Sequence, residues 1–184
     1  RLPHHPKAVE TLRTPTSDDP WRVLVSGCLN GLPCGVNGTD YGLGAAQPAW
    51  FSDPRVRRIP FCPEDHGMGT PRTMPDMHGG DGFAVVDGKA RVLDEHRVDL
   101  TEAMLSGARA MLALALRERV DFAVLTDRSG ACGSQVISIG CRFEEPVQHR
   151  RGVGVATALL LRNGIAVVSQ RDPRTLVLLG AKLD

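Results

Sequence analysis

The stretch RVLVSG, residues 22–27, followed at once by Cys28, decides how this chain folds. A short β-branched run with apolar residues at successive positions is the composition of a strand buried on both faces, as in a parallel sheet. DFAVLT (121–126) repeats the pattern, and Ile165–Ser169 gives a third such run. Arg57–Phe61 (RRIPF) reads as a further strand, with Pro60 confining it to an edge or to the end of pairing. Between the runs lie helical periods. Met104, Leu105, Ala108, Met111, Leu112, Ala115 and Leu116 recur at three and four, predicting an amphipathic helix over 100–118. Asp99 and Glu102 read as its capping box. Residues 153–162 form a second helix stopped by Asn163-Gly164, and 175–179 a short final element. Alternating strands and helices predict an α/β fold: a single domain with a mostly parallel sheet flanked by helices, Rossmann-like, with long Gly/Pro-rich loops at the strand carboxyl ends.

The rest of the chain is less regular. Residues 1–20 carry prolines and no periodicity, and read as an extended N-terminal arm ahead of a domain spanning 21–184. Residues 28–54 and 63–81 are rich in Gly and Pro and read as functional loops. FAVVDGKARVL (83–93) reads as two strands joined in a hairpin at Asp87-Gly88.

Whole-chain numbers exclude several classes. The chain has 184 residues, of which 42% are apolar and 23% charged, ordinary for a folded domain. Its net charge of +1 gives no surplus for wrapping a nucleic-acid backbone, although Arg55, Arg57 and Arg58 form a local basic group. No apolar run is long enough for a membrane span, and no basic-then-apolar leader is visible. Five cysteines, an odd number, suit free thiols better than a disulfide scaffold, so a reducing cytoplasm is expected.

Three of those cysteines stand in related places. Cys28 follows VLVSG, Cys62 ends RRIPF, and Cys132 lies six residues beyond DFAVLT in the loop SGACGS. In open α/β sheets ligands bind at the carboxyl ends of strands, so three cysteines there can reach one point. Gly27, Gly31, Gly130 and Gly133 would let the backbone approach a bulky group. Free cysteine is also a common small core residue, and three thiolates suit Zn²⁺ plus water as well as an iron–sulfur centre. No ferredoxin-type run decides the metal. Cys34, six residues after Cys28, is a fourth ligand, a redox partner or a loop thiol; Cys141 reads as structural filler.

SGCLNGLPC (26–34), CPE (62–64) with GMGTPR (67–72), DGKARVLDEHRVDLTEAML (87–105), LTDRSGACGS (125–134) and GVGVATALLLRNGIAVVS (152–169) occur in an order that resembles the thiouracil desulfidase family, over roughly residues 22–170. The resemblance implies an α/β fold holding a [4Fe-4S] cluster on Cys28, Cys62 and Cys132, with the fourth iron free to bind substrate sulfur. It implies release of that sulfur as sulfide and its replacement by water oxygen. By motif, the catalytic carboxyl falls on Glu64 and the hydroxyl on Ser129. Arg72 and Asn37 are the candidates for substrate contact, while His66 and His78 read as solvent-facing. The chain departs from the family in reading Gly35-Val36-Asn37-Gly38 where an Arg-Tyr-Asp-Gly stretch is usual, and Ser129-Gly130-Ala131-Cys132 where Ser-Pro-Ser-Cys is usual. The three cysteines survive both changes; the aromatic and basic groups expected beside substrate do not.

The function expected is therefore desulfuration of a thiolated small molecule such as a 2-thiouracil-like nucleobase, by a monomer or homodimer. The competing readings are another non-redox iron–sulfur or zinc lyase or hydratase, and a non-catalytic iron–sulfur or sulfur carrier. A cysteine-nucleophile enzyme is a further reading, but it lacks a paired histidine and the cysteine-to-arginine spacing of phosphatase loops.

Overall fold

The computed structural model describes residues 10–184. Four strands, β1 (Trp21–Ser26), β2 (Val56–Phe61), β5 (Phe122–Leu125) and β8 (Val167–Ser169), form an all-parallel sheet in the order β2-β1-β5-β8. β2 lies at an edge, where Pro60 costs no ladder bond to a further strand. Side chains alternate across the sheet. Leu24, Ala123, Leu125 and Val167 face a core with Met104, Ala108, Met111, Ala156 and Leu160. Trp21, Val23, Val25, Phe122, Val124 and Val168 face a second core with Phe51 and Leu179. Each such side chain contributes about 1.5–3 kcal/mol by leaving water. Burial on both faces is why the central runs Val23–Val25 and Phe122–Leu125 are continuously apolar.

The helices are α1 (Pro63–Met68), α2 (Gly82–Val86), α3 (Thr101–Arg117), α4 (Val155–Arg162) and α5 (Pro173–Ala181). α3 and α4 match their predicted spans, and α5 is the final element. Asp99 does assist the start of α3, accepting the Thr101 amide at 2.9 Å, but Glu102 pairs with Arg109 instead of closing a capping box. α1 and α3 pack backbone to backbone: a Cβ on Gly107 would sit 1.8 Å from the Pro63 carbonyl oxygen. This contact fixes the start of α1, where Cys62 and Glu64 stand.

The expected 83–93 hairpin is corrected. Asp81 accepts the amides of Phe83 and Ala84 and turns 82–86 into a helix. Only β4 (Arg91–Leu93) is a strand there, and it pairs antiparallel with β3 (Asp76–His78). β3 also pairs parallel with β6 (Val136–Ile139), which pairs antiparallel with β7 (Gln148–Arg151), making a second, mixed sheet. Residues 1–9 of the expected arm lie outside the described residues. In the remainder, Arg13 ion-pairs with Asp121 at 2.8 Å and its carbonyl accepts the Trp21 indole N–H.

Candidate functional site

The strand order places β2, β1 and β5 side by side, so the residues after their carboxyl ends share one rim. Cys28 opens a 3-10 turn directly after β1. Cys62 follows β2 and caps α1, its sulfur accepting the Asp65 amide at 3.4 Å, with Pro63 at the first helical position. Cys132 sits in the loop after β5. That loop is held by the opening of α4: the amides of Gly154, Val155 and Ala156 donate to the carbonyls of Gly133, Gly130 and Ala131. The helix start thus gains acceptors for its orphan amides, and the loop gains a rigid base.

Cys28, Cys62 and Cys132 line one cavity of about 490 Å³, together with Cys34, Glu64, Arg72 and Ser129. The Ser129 hydroxyl donates to Glu64 Oε1 at 3.1 Å and accepts the amides of Ala131 and Cys132 at 3.2 and 3.0 Å. Arg72, with only 5% of its side chain exposed, donates through Nη2 to Glu64 Oε2 at 2.9 Å and to the Cys34 carbonyl at 3.0 Å. Burial works against the Arg72 charge, and Glu64 more than offsets it, so the guanidinium stays charged. The guanidinium therefore holds the carboxylate at the cavity.

The thiols differ in character. The Cys34 thiol hydrogen-bonds to the sulfurs of Cys28 and Cys62 and, with burial adding to this, keeps its own proton. Cys28 is pushed down to about 7, first by that bond from Cys34 and also by the Thr126 hydroxyl 3.2 Å away, against the effect of burial. Cys62 is lowered by the same Cys34 contact. Cys132 is raised by burial, reinforced by the nearby Cys62 and Cys28. Two sulfurs are thus disposed toward thiolate, the form that ligates metal, and any metal binding would expel the remaining protons.

Two features of the cavity fit a sulfide-bearing cluster held by these thiols. A Cβ on Gly27 would meet Cys34 Sγ at 3.0 Å and Cys62 Cβ at 3.3 Å, so the glycine keeps the thiols' floor clear. Arg72 Nε is buried with no hydrogen-bond partner, a donor that a sulfide or thiolate would satisfy.

Other sequence candidates fall elsewhere. Asn37 is exposed and does not line the cavity; its Oδ1 accepts the Thr39 amide and hydroxyl. His66 is exposed and His78 half-buried, and neither lines the cavity, nor does Cys141. Arg55 and Arg57 pair with Asp53 and Glu118, and Arg58 bonds Gln47. Reasoning from sequence missed Tyr41, Met74, Thr126, Arg128, Arg142 and Arg171, which also line the cavity. Tyr41 supplies an aromatic ring from beyond the GVNG stretch, its hydroxyl accepting the Val36 amide at 2.8 Å.

Comparison with known proteins agrees with this geometry. A solved structure described as the [4Fe-4S]-dependent thiouracil desulfidase TudS superposes with a TM-score of 0.69 at 32% identity, covering 88% of this chain and 99% of that one. The uncharacterized protein YbbK of Bacillus subtilis (strain 168) is 31% identical over 151 residues, 82% of this chain and 96% of its own length. The sequence profile of 2-thiouracil desulfurase matches residues 23–172, a span that holds all four cavity cysteines, Glu64, Arg72 and Ser129. The chain belongs to the 2-thiouracil desulfurase family.

Proposed function

We propose that this chain is a [4Fe-4S]-dependent desulfidase that hydrolyses a thiolated small molecule of the 2-thiouracil type. In the reaction a thiocarbonyl and water give a carbonyl and hydrogen sulfide. The observation that carries the reading is the convergence of Cys28, Cys62 and Cys132 on a cavity that also holds the Glu64–Ser129 pair. The kinship with a solved desulfidase supports it. Residues 21–184 form the catalytic domain in this reading, as a monomer or homodimer. Five free thiols suit a reducing cytoplasm.

Cys28, Cys62 and Cys132 would hold the cluster. When bound, it supplies a soft Lewis acid for the thiocarbonyl sulfur, withdrawing electrons from the adjacent carbon. The chain's own groups do the proton work. Glu64 accepts a proton from the attacking water at one carboxylate oxygen, or returns it to a ring nitrogen. Ser129 holds Oε1 and Arg72 holds Oε2, so the carboxylate enters the reaction already oriented. Leu43, Phe61 and Met74 give a heterocycle an apolar wall within the same cavity.

Anaerobic reconstitution with iron and sulfide tests the reading. A brown protein with about four irons per chain is expected, converting 2-thiouracil to uracil with stoichiometric sulfide release. Cys132→Ala should lose both properties. Stoichiometric zinc with no capacity to take up a cluster would overturn the proposal.

A further inference from the structure

Tyr41, the chain's single tyrosine, lines the cavity and yet is 55% exposed, and its ring packs into neither core. Phe61, the other aromatic of the same wall, packs against the core, with its ring 5.4 Å from that of His66. Tyr41 therefore offers the cavity its free aromatic surface.

The loop is built to hold that ring. Tyr41 takes φ 54°, a left-handed conformation that residues with a side chain rarely adopt. Thr39 Oγ1 accepts the Tyr41 amide at 3.2 Å, and the Asp40 carboxylate accepts the amides of Gly42 and Gly44 just beyond. The ring lies against Gly35, where a Cβ would come within 2.5 Å of Tyr41 Cε2, so only glycine admits it there. The Tyr41 hydroxyl accepts the Val36 amide at 2.8 Å, while the Val36 carbonyl accepts the Arg72 amide at 3.0 Å. One residue thus ties the ring to the arginine that holds Glu64. The hydroxyl's bond to the main chain sets the position of the ring and leaves the ring itself for a ligand. An aromatic face stacks on a planar heterocycle whatever polar groups the heterocycle carries at its edge.

We propose that Tyr41 is the stacking partner of the substrate's heterocycle and selects a flat, unsaturated ring over a puckered one. The proposal rests on the desulfidase reading above and adds to it the residue that chooses among thiolated rings.

The test uses the full chain, reconstituted anaerobically, as wild type, Tyr41→Leu and Tyr41→Phe, with 2-thiouracil and its puckered dihydro derivative as substrates. Stacking holds substrate and transition state alike, so Tyr41→Leu should raise KM for 2-thiouracil about tenfold with kcat little changed. The preference for 2-thiouracil over the dihydro compound, as a ratio of kcat/KM values, should fall by a similar factor, since a puckered ring has little stacking to lose. Tyr41→Phe keeps the ring and should restore both. Equal loss for the two substrates, or a Tyr41→Leu protein that matches wild type, would overturn the proposal. A second readout needs no substitution: with a single tyrosine, fluorotyrosine labelling gives wild type one fluorine resonance. Uracil, the product of the reaction, should shift it saturably. A resonance unmoved by uracil at concentrations that inhibit turnover would overturn the proposal. A wild type that leaves both thiolated rings intact would instead remove the functional reading, and this proposal with it.

Discussion

Ser129 Oγ stands 3.1 Å from Glu64 Oε1 and donates to it, while the same oxygen accepts the amides of Ala131 and Cys132. One hydroxyl therefore joins the first turn of α1 to the loop that carries Cys132. Replacing it by Ser129→Ala leaves two amides without an acceptor and one carboxylate oxygen without its donor. The expected cost is about 1–3 kcal/mol of stability, with turnover falling roughly 10²-fold. Iron per chain should hold, because no thiol is touched. Chemical denaturation beside an iron assay separates the effects, and unchanged turnover would remove Ser129 from the machinery.

Glu64→Gln keeps the shape of the side chain and an acceptor for Ser129 but removes the charge that faces Arg72. Turnover is expected to fall by about 10²–10⁴ with cluster loading intact, the range for losing a positioned acid–base group. Stability should fall by up to about 3 kcal/mol, since the buried guanidinium loses its countercharge. Retention of wild-type turnover would show that the proton is handled elsewhere.

The parallel sheet was readable because burial on both faces forces runs such as Val23–Val25 and Phe122–Leu125 to be apolar at every position. The same runs marked Cys28, Cys62 and Cys132, whose place in sequence beside a strand end is also their place in space. Residues 83–86 misled because four apolar residues fit a strand or a helix equally, and Asp81 decided for helix through two amides. α1 was missed although Cys62-Pro63-Glu64-Asp65 is a helix start, since six residues show little periodicity. Cys34 and Tyr41 reach the site through loop folding, and the partnership of Arg72 with Glu64 depends on a turn between them. No period in the sequence encodes either.

Asp99 offers a pH-dependent test away from the cysteines. Its carboxylate bonds the Thr101 hydroxyl and amide and pairs with Arg91, which holds its pKa below the usual carboxylate value. Because the folded pKa lies below the unfolded one, the stabilisation is fully present above the unfolded pKa. It is lost as pH falls through the folded pKa. Asp99→Ala should therefore cost roughly half a kcal/mol at neutral pH, the carboxylate being largely exposed. The gap between wild type and variant should close in acid. Urea unfolding across that range measures it, and a gap that widened in acid would reverse the assignment.

Asp127 governs how firmly the Cys132 loop is tied at its far end. Its Oδ1 accepts the amides of Ser134, Gln135 and Val136 at 3.0, 3.2 and 3.1 Å, and its Oδ2 accepts the Ser169 hydroxyl at 3.2 Å. Asp127→Ala strands three amides in a place where the carboxylate is 4% exposed, so a loss of about 3 kcal/mol or more is expected. Asp127→Asn keeps Oδ1 as acceptor and turns an NH₂ toward Ser169, whose oxygen can accept it. A loss nearer about 1 kcal/mol follows. Since the cysteine lies between residue 127 and the bonded amides, the alanine variant should also release iron faster to a chelator while the asparagine variant matches wild type. Identical iron release from all three proteins would mean that the opening of α4, and not Asp127, holds Cys132 in place.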